Sequence, residues 1–319
     1  MREGNILELR SLSAGYGASP AVADITLSLA QGEILCVVGE SGCGKSTLLK
    51  AILGTEKSLR ILGGSITLAG TELTSLPEKQ RRKLCAQRIG MVYQDPGGAF
   101  NPIRSYRRQF IETLRSRGLY DASEFEAQAS EAMEKLRLED PKRILASCPY
   151  EMSGGMNQRI ALALALLLGQ ELLLADEPTS ALDATVQLQV AGELSRLRSS
   201  GGLSQIIVTH NLALAEFLGD RIAVLYGGRL AELGPAKAVA AAPMHPYTRS
   251  LMAAIPTLDG RMPAPLPGQP PLGGPAERGC GFADRCPRAS ERCRRAEYAL
   301  WDLGGGHFTA CPPEEGGAL

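Results

Sequence analysis

Short apolar runs alternate with amphipathic stretches along this chain, which is the pattern of an α/β fold. Most of the runs end at glycine or at a polar residue, as buried strands do when they reach the edge of a sheet. Buried strands are predicted at residues 33–38, 89–93, 171–175 and 205–209. Shorter apolar segments at 6–9 and 25–29 predict an antiparallel β lead-in, that is, a pair of antiparallel strands that precedes the first buried strand. Residues 221–226 and 228–233 predict a hairpin.

Between residues 100 and 149 the pattern becomes helical and charged, with apolar residues at helix spacing over 107–119 and 123–138. We interpret this stretch as an inserted helical subdomain. The proline- and glycine-rich stretch 256–279 has too few apolar residues to form a core, so we predict a linker or an extended segment that lies on the protein surface. The predicted domains are a core of 1–98 and 150–235, a helical subdomain of 99–149, C-terminal helices with the linker at 236–279, and a Cys-rich extension of 280–319.

The charge and the apolar content exclude several classes of protein. Lys and Arg together number 34, as do Asp and Glu, so the net charge of zero gives no general attraction to nucleic acid. The N-terminus lacks the apolar core of a signal peptide, which predicts a cytoplasmic protein with reduced thiols. The apolar run 160–168 is far shorter than the ~20 residues that cross a bilayer. A role in a membrane process therefore requires separate transmembrane partners.

Residues 39–47 read G-E-S-G-C-G-K-S-T, a full match to the phosphate-loop pattern G-x-x-x-x-G-K-[ST] between a predicted strand and a predicted helix. Lys45 is expected to reach the β- and γ-phosphates, and the Ser46 hydroxyl is expected to coordinate Mg²⁺. Cys43 lies next to a helix N-terminus, which predicts a lowered thiol pKa. The predicted nucleotide-binding residues here are Gly39, Glu40, Ser41, Gly42, Cys43, Gly44, Lys45, Ser46 and Thr47.

Polar residues at the ends of other predicted strands have chemistry that suits ATP hydrolysis. Gln94 can ligand Mg²⁺ or hold a water through its amide oxygen, and Asp176 can hold Mg²⁺. Glu177 is placed to polarise the attacking water, and His210 to hydrogen-bond the γ-phosphate. Upstream, Tyr16 can stack on a nucleobase, although an ordinary turn tyrosine is the alternative.

A second anion site is predicted at Ser153, Gly154 and Gly155, which open an apolar helix. A plain helix N-cap is the alternative reading of these three residues. The phosphate loop at 39–47 has no evident arginine finger beside it, so another group must stabilise the charge on the γ-phosphate.

Together with S-A-L-D at 180–183, these motifs resemble, in order and spacing, the nucleotide-binding domain of ABC transporters over residues 5–255. The resemblance implies an ATPase that binds ATP and Mg²⁺ and closes face to face on a second ATPase subunit, identical or different. Met152 departs from the usual leucine of the signature, and Asn157 replaces a common arginine or lysine. The roles implied are Tyr16 for the A-loop, Gln94 for the Q-loop, Ser153, Gly154 and Gly155 for the signature, Glu177 for the catalytic base, Asp183 for the D-loop and His210 for the switch histidine.

The segment M-H-P-Y-T-R-S-L-M-A-A-I-P at 244–256 resembles ATPases that serve oligopeptide, dipeptide and nickel importers. This resemblance implies a peripheral protein on the cytoplasmic face of the inner membrane that energises peptide uptake. Its partners would be two permease subunits and an extracytoplasmic substrate-binding protein. The alternatives are nickel import and a soluble ABC ATPase acting in DNA repair or translation.

Four of the eight cysteines fall in the last forty residues, at Cys280, Cys286, Cys293 and Cys311. Clustered reduced thiols suit an iron–sulfur cluster or tetrahedral zinc, and a metal-free segment or an adventitious disulfide is the other reading. The segment G-C-x-F-A-x-R-C-P resembles peptide-importer ATPases with a [4Fe–4S] cluster. His307 is a spare ligand, and arginines are expected to offset the thiolate charge at 285, 288, 292, 294 and 295.

Overall fold

The computed structural model describes residues 4–94, 97–180, 184–255, 266, 268–269, 271 and 274–312. Its strands are β1 (Asn5–Tyr16), β2 (Ser19–Ala30), β3 (Ile34–Val38), β4 (Leu59–Leu68), β5 (Thr71–Glu72), β6 (Ile89–Val92), β7 (Leu172–Asp176), β8 (Ser204–Thr209), β9 (Arg221–Tyr226), β10 (Arg229–Pro235), β11 (Trp301–Asp302) and β12 (Phe308–Thr309). Its α-helices are α1 (Lys45–Leu53), α2 (Glu78–Arg88), α3 (Tyr106–Ser116), α4 (Phe125–Lys135), α5 (Pro141–Ala146), α6 (Gly154–Leu167), α7 (Ala184–Gly201), α8 (Leu212–Leu218), α9 (Ala236–Ala241), α10 (Pro246–Ala253) and α11 (Glu291–Arg295).

The chain divides into two compact units, residues 1–81 with 208–319 and residues 82–207. The first unit contains the predicted antiparallel lead-in, which is a four-stranded sheet in the order β2-β1-β4-β5. Leu9 of β1 pairs with Leu27 of β2 and Ile66 of β4, and all three are buried. Both lead-in strands are longer than predicted. β4 pairs with β1, and its positions 59–64 alternate between partly buried and exposed.

A second set of strands in the first unit places the phosphate loop. β3, which is buried at every position, pairs in parallel with β9, and β9 forms the predicted hairpin with β10. The hairpin does not end the sheet. β12 from the Cys-rich extension adds to β10 through Leu233 and Phe308, and β11 pairs with β12. The extension is therefore joined to the core of this unit by backbone hydrogen bonds.

The second unit contains the parallel pair β6 and β7 and the predicted helical subdomain. Helices α3 and α4 match the two predicted helices, and a third helix, α5, follows them with Pro141 at its first position and Asp140 as its N-cap. The core of this subdomain contains Tyr106, Phe110 and Met133, all with no exposed surface. Among the described residues, no helix has both the length and the apolar character needed to cross a membrane.

Candidate functional site

The phosphate loop follows β3 and takes backbone conformations that its glycines alone adopt without strain. Gly39, Gly42 and Gly44 have φ values of 154°, 80° and 103°. A Cβ at Gly39 would lie 2.2 Å from the Leu225 carbonyl oxygen, and one at Gly44 would lie 2.7 Å from Val22 Cγ1. At Gly42 the space is open, so this glycine is required by conformation rather than by packing.

Lys45 begins helix α1, and it is buried. Its ammonium donates hydrogen bonds to the carbonyl oxygens of Gly39 and Glu40, at 2.7 and 2.9 Å. These bonds hold the lysine across the loop. Ser46, the predicted Mg²⁺ ligand, is exposed in the first turn of α1, where backbone N–H groups have no partner within the helix. The loop thus presents a cation, a hydroxyl and free amides to an anion.

The prediction that Cys43 has a lowered thiol pKa is wrong. The side chain is buried, and burial raises the pKa of Cys43 more than the nearby Lys45 ammonium lowers it. A helix N-terminus activates a thiol when its surroundings stabilise the thiolate, and at Cys43 the loss of solvent outweighs the nearby Lys45 cation.

In the second unit, two predicted Mg²⁺ ligands lie at the same edge of the β6–β7 pair. The strands are parallel and in register from Ile89 with Leu172 to Val92 with Ala175. Gln94, two residues after β6, and Asp176, the last residue of β7, therefore lie at the same carboxyl-terminal edge. Gln94 is exposed and Asp176 is half-buried. Glu177 comes next with a φ of 47°, a left-handed conformation that is uncommon for a residue with a side chain. Backbone strain of this kind is concentrated at functional sites.

The predicted signature residues open helix α6 of the second unit. Ser153 is the N-cap, its hydroxyl accepts a hydrogen bond from the Met156 N–H at 3.3 Å, and both Ser153 and Gly154 are exposed. Asn157, which departs from the family pattern, is buried. Its amide nitrogen donates to the Pro149 and Met152 carbonyls, and its amide oxygen accepts from the Tyr106 hydroxyl. Asn157 therefore anchors the turn that presents the signature.

Two further predicted residues, Tyr16 and His210, lie at the ends of strands in the first unit. Tyr16 is the last residue of β1 and is 43% exposed, so its ring is available for stacking. His210 follows β8 directly and is exposed. Asp183 lies outside the described residues.

The predictions missed the hydrogen bonds that C-terminal residues make to the phosphate loop. Arg285 donates to both carboxylate oxygens of Glu40, at 2.6 and 3.0 Å. The hydroxyl of Tyr247, in the H-P-Y-T segment, accepts a hydrogen bond from the Glu40 N–H at 2.9 Å. Nothing in the local sequence points to these contacts, since 207 and 245 residues separate the partners.

All four C-terminal thiols line one cavity of about 620 Å³ in the first unit. The Cys280 N–H donates to the Cys293 carbonyl at 2.7 Å, and Cys311 follows β12 closely. Burial raises the pKa of Cys280 and of Cys311, whereas a hydrogen bond with the Ser290 hydroxyl lowers the pKa of Cys293. Among the described residues, no group of three or more His, Cys, Asp or Glu side chains is arranged to hold a metal ion.

Two expectations about the surroundings of the thiols are corrected. His307 is not placed as a spare ligand, because its Nε2 hydrogen-bonds to the buried Glu232 carboxylate at 2.7 Å. The arginines do not act as one group. Burial raises the pKa of Cys311, and the Arg288 charge opposes that rise. The hydrogen bond with Ser290 lowers the pKa of Cys293, and the Arg292 charge adds to that lowering. The others form ion pairs with carboxylates: Arg285 with Glu40, Arg294 with Asp284 and Arg295 with Glu291.

His245 lies at the cavity wall as a neutral imidazole. Burial lowers its pKa to about 4, and its Nδ1 accepts a hydrogen bond from the Tyr247 N–H at 3.1 Å. The proton of the neutral ring is therefore on Nε2, which lies 3.9 Å from Cys280 Sγ. The H-P-Y-T segment thus contacts the thiol cavity through His245 and the phosphate loop through Tyr247.

Comparisons with known proteins agree with this arrangement. Residues 22–180 match the ABC transporter family, and residues 231–293 match the C-terminal region of oligopeptide/dipeptide transporters. The structure is similar to the ATP-binding cassette MJ0796, solved as a dimer in a post-hydrolysis state with ADP and Pi. That match has a TM-score of 0.63 and 26% identity, and covers 72% of this chain and 98% of the other.

Similarity to curated proteins extends over almost the whole chain. The oligopeptide transport ATP-binding protein OppD of Escherichia coli is 37% identical over 316 residues, covering 98% of this chain and 94% of the relative. OppD of Salmonella typhimurium is 37% identical over 319 residues, covering 97% of this chain and 95% of the relative. The chain therefore belongs to the OppD-like family of ABC transporter ATP-binding proteins, and it is an α/β ATPase whose hydrolysis of ATP drives transport.

Proposed function

We propose that this chain is the ATPase subunit that energises peptide uptake from the cytoplasmic face of the inner membrane. The observation that carries the proposal is the contact between Tyr247 and Glu40. It joins the region that matches oligopeptide and dipeptide transporters to the loop that binds phosphate. The nucleotide site and the family-specific region are thus parts of one structure.

The proposed roles of the site residues follow from their chemistry. Residues 39–47 hold the phosphates of ATP, Tyr16 stacks on the base, and Mg²⁺ is bound by Ser46, Gln94 and Asp176. Mg²⁺, when bound, would neutralise charge between the phosphates. Glu177 accepts a proton from the attacking water, and His210 donates to the γ-phosphate.

A second ATPase subunit is part of this proposal. We propose that Ser153, Gly154 and Gly155 of one subunit cover ATP held by the other, with Asp183 at the junction. The exposure of Ser153 and Gly154 at a helix N-terminus supports this role, because free amides there bind anions. The dimeric state of MJ0796 with ADP and Pi is a precedent in a similar protein. The partner is a second copy or a different ATPase.

Two permease subunits and an extracytoplasmic substrate-binding protein complete the proposed transporter. Affinity purification of the full chain from membranes, followed by mass spectrometry, tests this assembly. Recovery of permeases, with ATP hydrolysis stimulated by peptide, is the expected result. Stimulation by nickel instead would favour the nickel importer, and stimulation by nucleic acid without permeases would favour a soluble ABC ATPase.

We also propose that Cys280, Cys286, Cys293 and Cys311 bind a [4Fe–4S] cluster. The four thiols line one cavity, and an iron–sulfur cluster is held by four thiolates at separate irons, so it needs no single point close to all four sulfurs. Zinc, the alternative, would need all four sulfurs about 2.3 Å from one point. The cluster would add a redox-active centre beside the H-P-Y-T segment.

Anaerobic purification with iron, sulfide and zinc analysis and a visible absorption spectrum tests the cluster. We expect about four irons per chain and a broad visible absorption band, both lost in Cys286→Ser. Cys148→Ser is the matched control, because this thiol lies in the other unit. Stoichiometric zinc in a colourless protein would contradict the proposal.

A further inference from the structure

Among the described residues, the C-terminal region from residue 236 onward hydrogen-bonds to the phosphate loop at Glu40. Arg285 binds both oxygens of the Glu40 carboxylate, and the Tyr247 hydroxyl accepts the Glu40 N–H. Lys45, the phosphate-binding lysine, donates to the Glu40 carbonyl. The side chain, the N–H and the carbonyl of this loop residue are thus all engaged, two of them by residues far along the chain.

The residues that bind Glu40 are themselves fixed by aromatic packing. Tyr226 of β9, Tyr247 of α10 and Phe282 of the extension form a cluster with ring centroids 4.5 to 5.4 Å apart. Tyr247 and Phe282 are almost completely buried. Arg285 also donates to the Tyr226 hydroxyl at 3.2 Å. Side chains packed in this way lose little further freedom when they bind the loop, so the contact is preorganised.

The ion pair between Arg285 and Glu40 is expected to favour the binding of a negatively charged nucleotide. The Glu40 carboxylate belongs to a loop that must accept the negative phosphates of a nucleotide, and alone it would repel them. Arg285 is buried and bidentate, the geometry in which a guanidinium neutralises a carboxylate most effectively. An Arg285 variant would leave this negative charge uncompensated beside the phosphate site.

We propose that Arg285 and Tyr247 are positioning residues for the phosphate loop, so that the C-terminal region sets the affinity of this chain for nucleotide. The inference rests on the proposed function only in taking residues 39–47 as the nucleotide site. Because Arg285 lies between Cys280 and Cys286, the same short segment lines the thiol cavity and neutralises Glu40.

A double-mutant cycle on the isolated full chain tests the proposal. Isothermal titration calorimetry measures the Kd of the magnesium complex of a non-hydrolysable ATP analogue for wild type, Arg285→Gln, Glu40→Gln and the double variant. We expect Arg285→Gln to raise Kd about tenfold, a typical coupling between two sites. In the Glu40→Gln background the same change should have little effect, because no carboxylate is left to neutralise.

Arg294→Gln is the matched control for charge, since Arg294 belongs to the same extension but pairs with the exposed Asp284. Its Kd should equal that of wild type. A Kd for Arg285→Gln equal to that of Arg294→Gln would overturn the proposal. An equal loss of affinity with and without Glu40 would overturn it too, since that pattern indicates general disruption.

Tyr247→Phe is an independent test that removes one oxygen and does not depend on whether Arg285→Gln folds. It leaves the Glu40 N–H without its acceptor, and we expect Kd to rise about fivefold. Tyr298→Phe is the control, because the Tyr298 hydroxyl donates to the Leu230 carbonyl instead. Equal Kd values for the two variants would contradict the role of Tyr247. Binding is measured without permeases, so failure here is distinct from failure of the transport proposal.

Discussion

At the scale of single residues, the phosphate loop depends on glycines that are needed for different physical reasons. Gly39 lies against the Leu225 carbonyl, and Gly42 faces open space. The pattern G-x-x-x-x-G-K-[ST] predicts both glycines, but only the structure separates a packing requirement from a conformational one.

Gly39→Ala is expected to distort the loop, because its Cβ would lie 2.2 Å from a backbone oxygen that has little freedom to move. Backbone strain alone costs about 1–3 kcal/mol when a residue with a side chain is held in so sparsely populated a conformation. Calorimetry should show nucleotide binding weakened more than tenfold, since that cost and the clash add. Gly192→Ala in α7, where no atom lies within 4 Å of the new Cβ, is the control. Unchanged binding in Gly39→Ala would contradict the assigned geometry.

Cys43 is expected to resist alkylation in the folded protein, because burial both raises its pKa and blocks the reagent. Mass spectrometry after brief iodoacetamide treatment at pH 7.5 should find Cys148, which is partly exposed, labelled before Cys43. Faster labelling of Cys43, with or without nucleotide, would indicate that the loop opens in solution.

At the scale of elements, the turn before α6 depends on one buried amide. Asn157 makes hydrogen bonds to two carbonyls and to the Tyr106 hydroxyl, so it links the signature to the helical subdomain. The motif comparison identifies Asn157 as a departure from the family pattern. It does not identify its partners, because they come from residues that precede it by up to 51 positions.

Asn157→Ala is expected to lower the free energy of unfolding by about 2–3 kcal/mol, because buried partners lose their hydrogen bonds. Chemical denaturation followed by circular dichroism measures the change. Asn101→Ala should cost less than about 1 kcal/mol, since Asn101 is exposed and its side chain caps one nearby N–H. Equal losses in the free energy of unfolding would show that the buried hydrogen bonds of Asn157 stabilise the fold no more than the exposed cap at Asn101.

The C-terminal region is held to β10 by Glu232, a carboxylate with no exposed surface. It accepts the N–H groups of Met244 and His245, each at 2.9 Å, and bonds to His307. Glu232→Ala would leave these buried donors unpaired, which costs about 1–3 kcal/mol for each donor left unsatisfied. We expect a lower Tm and faster proteolysis after residue 235. The exposed Glu291→Ala is the control, and equal Tm values would contradict this role of Glu232.

The elements differ in how much their own sequence reveals. β3 and α1 were predictable because an apolar run, a glycine loop and a helical pattern follow one another locally. The pairing of β12 with β10 was not, because two residues at Phe308–Thr309 have no periodicity and gain their partner only through the fold. The thiol cavity could be predicted in part. The clustering of the cysteines indicates a common site, but the shape of the cavity depends on the three-dimensional fold.

At the scale of the whole molecule, the family and the ATPase activity were predictable because several short motifs agree in order and spacing. The contact between Glu40 and Arg285 was not, since charge alone does not choose among 34 acidic and 34 basic side chains. That choice depends on the aromatic cluster that brings the extension to the loop. The C-terminal region therefore contributes to the nucleotide site as well as marking the peptide-import family.

The central claim is that ATP turnover at this site powers peptide uptake, and Glu177→Gln tests it most directly. Replacing a general base with its uncharged amide removes proton transfer, a loss of about 10²–10⁴-fold in rate, while leaving the phosphate loop intact. The measurement is ATP hydrolysis and peptide uptake in vesicles that contain the reconstituted transporter, with the exposed Glu216→Gln of α8 as the control. We predict normal nucleotide binding with hydrolysis and uptake both lost, whereas undiminished hydrolysis or uptake would contradict the account.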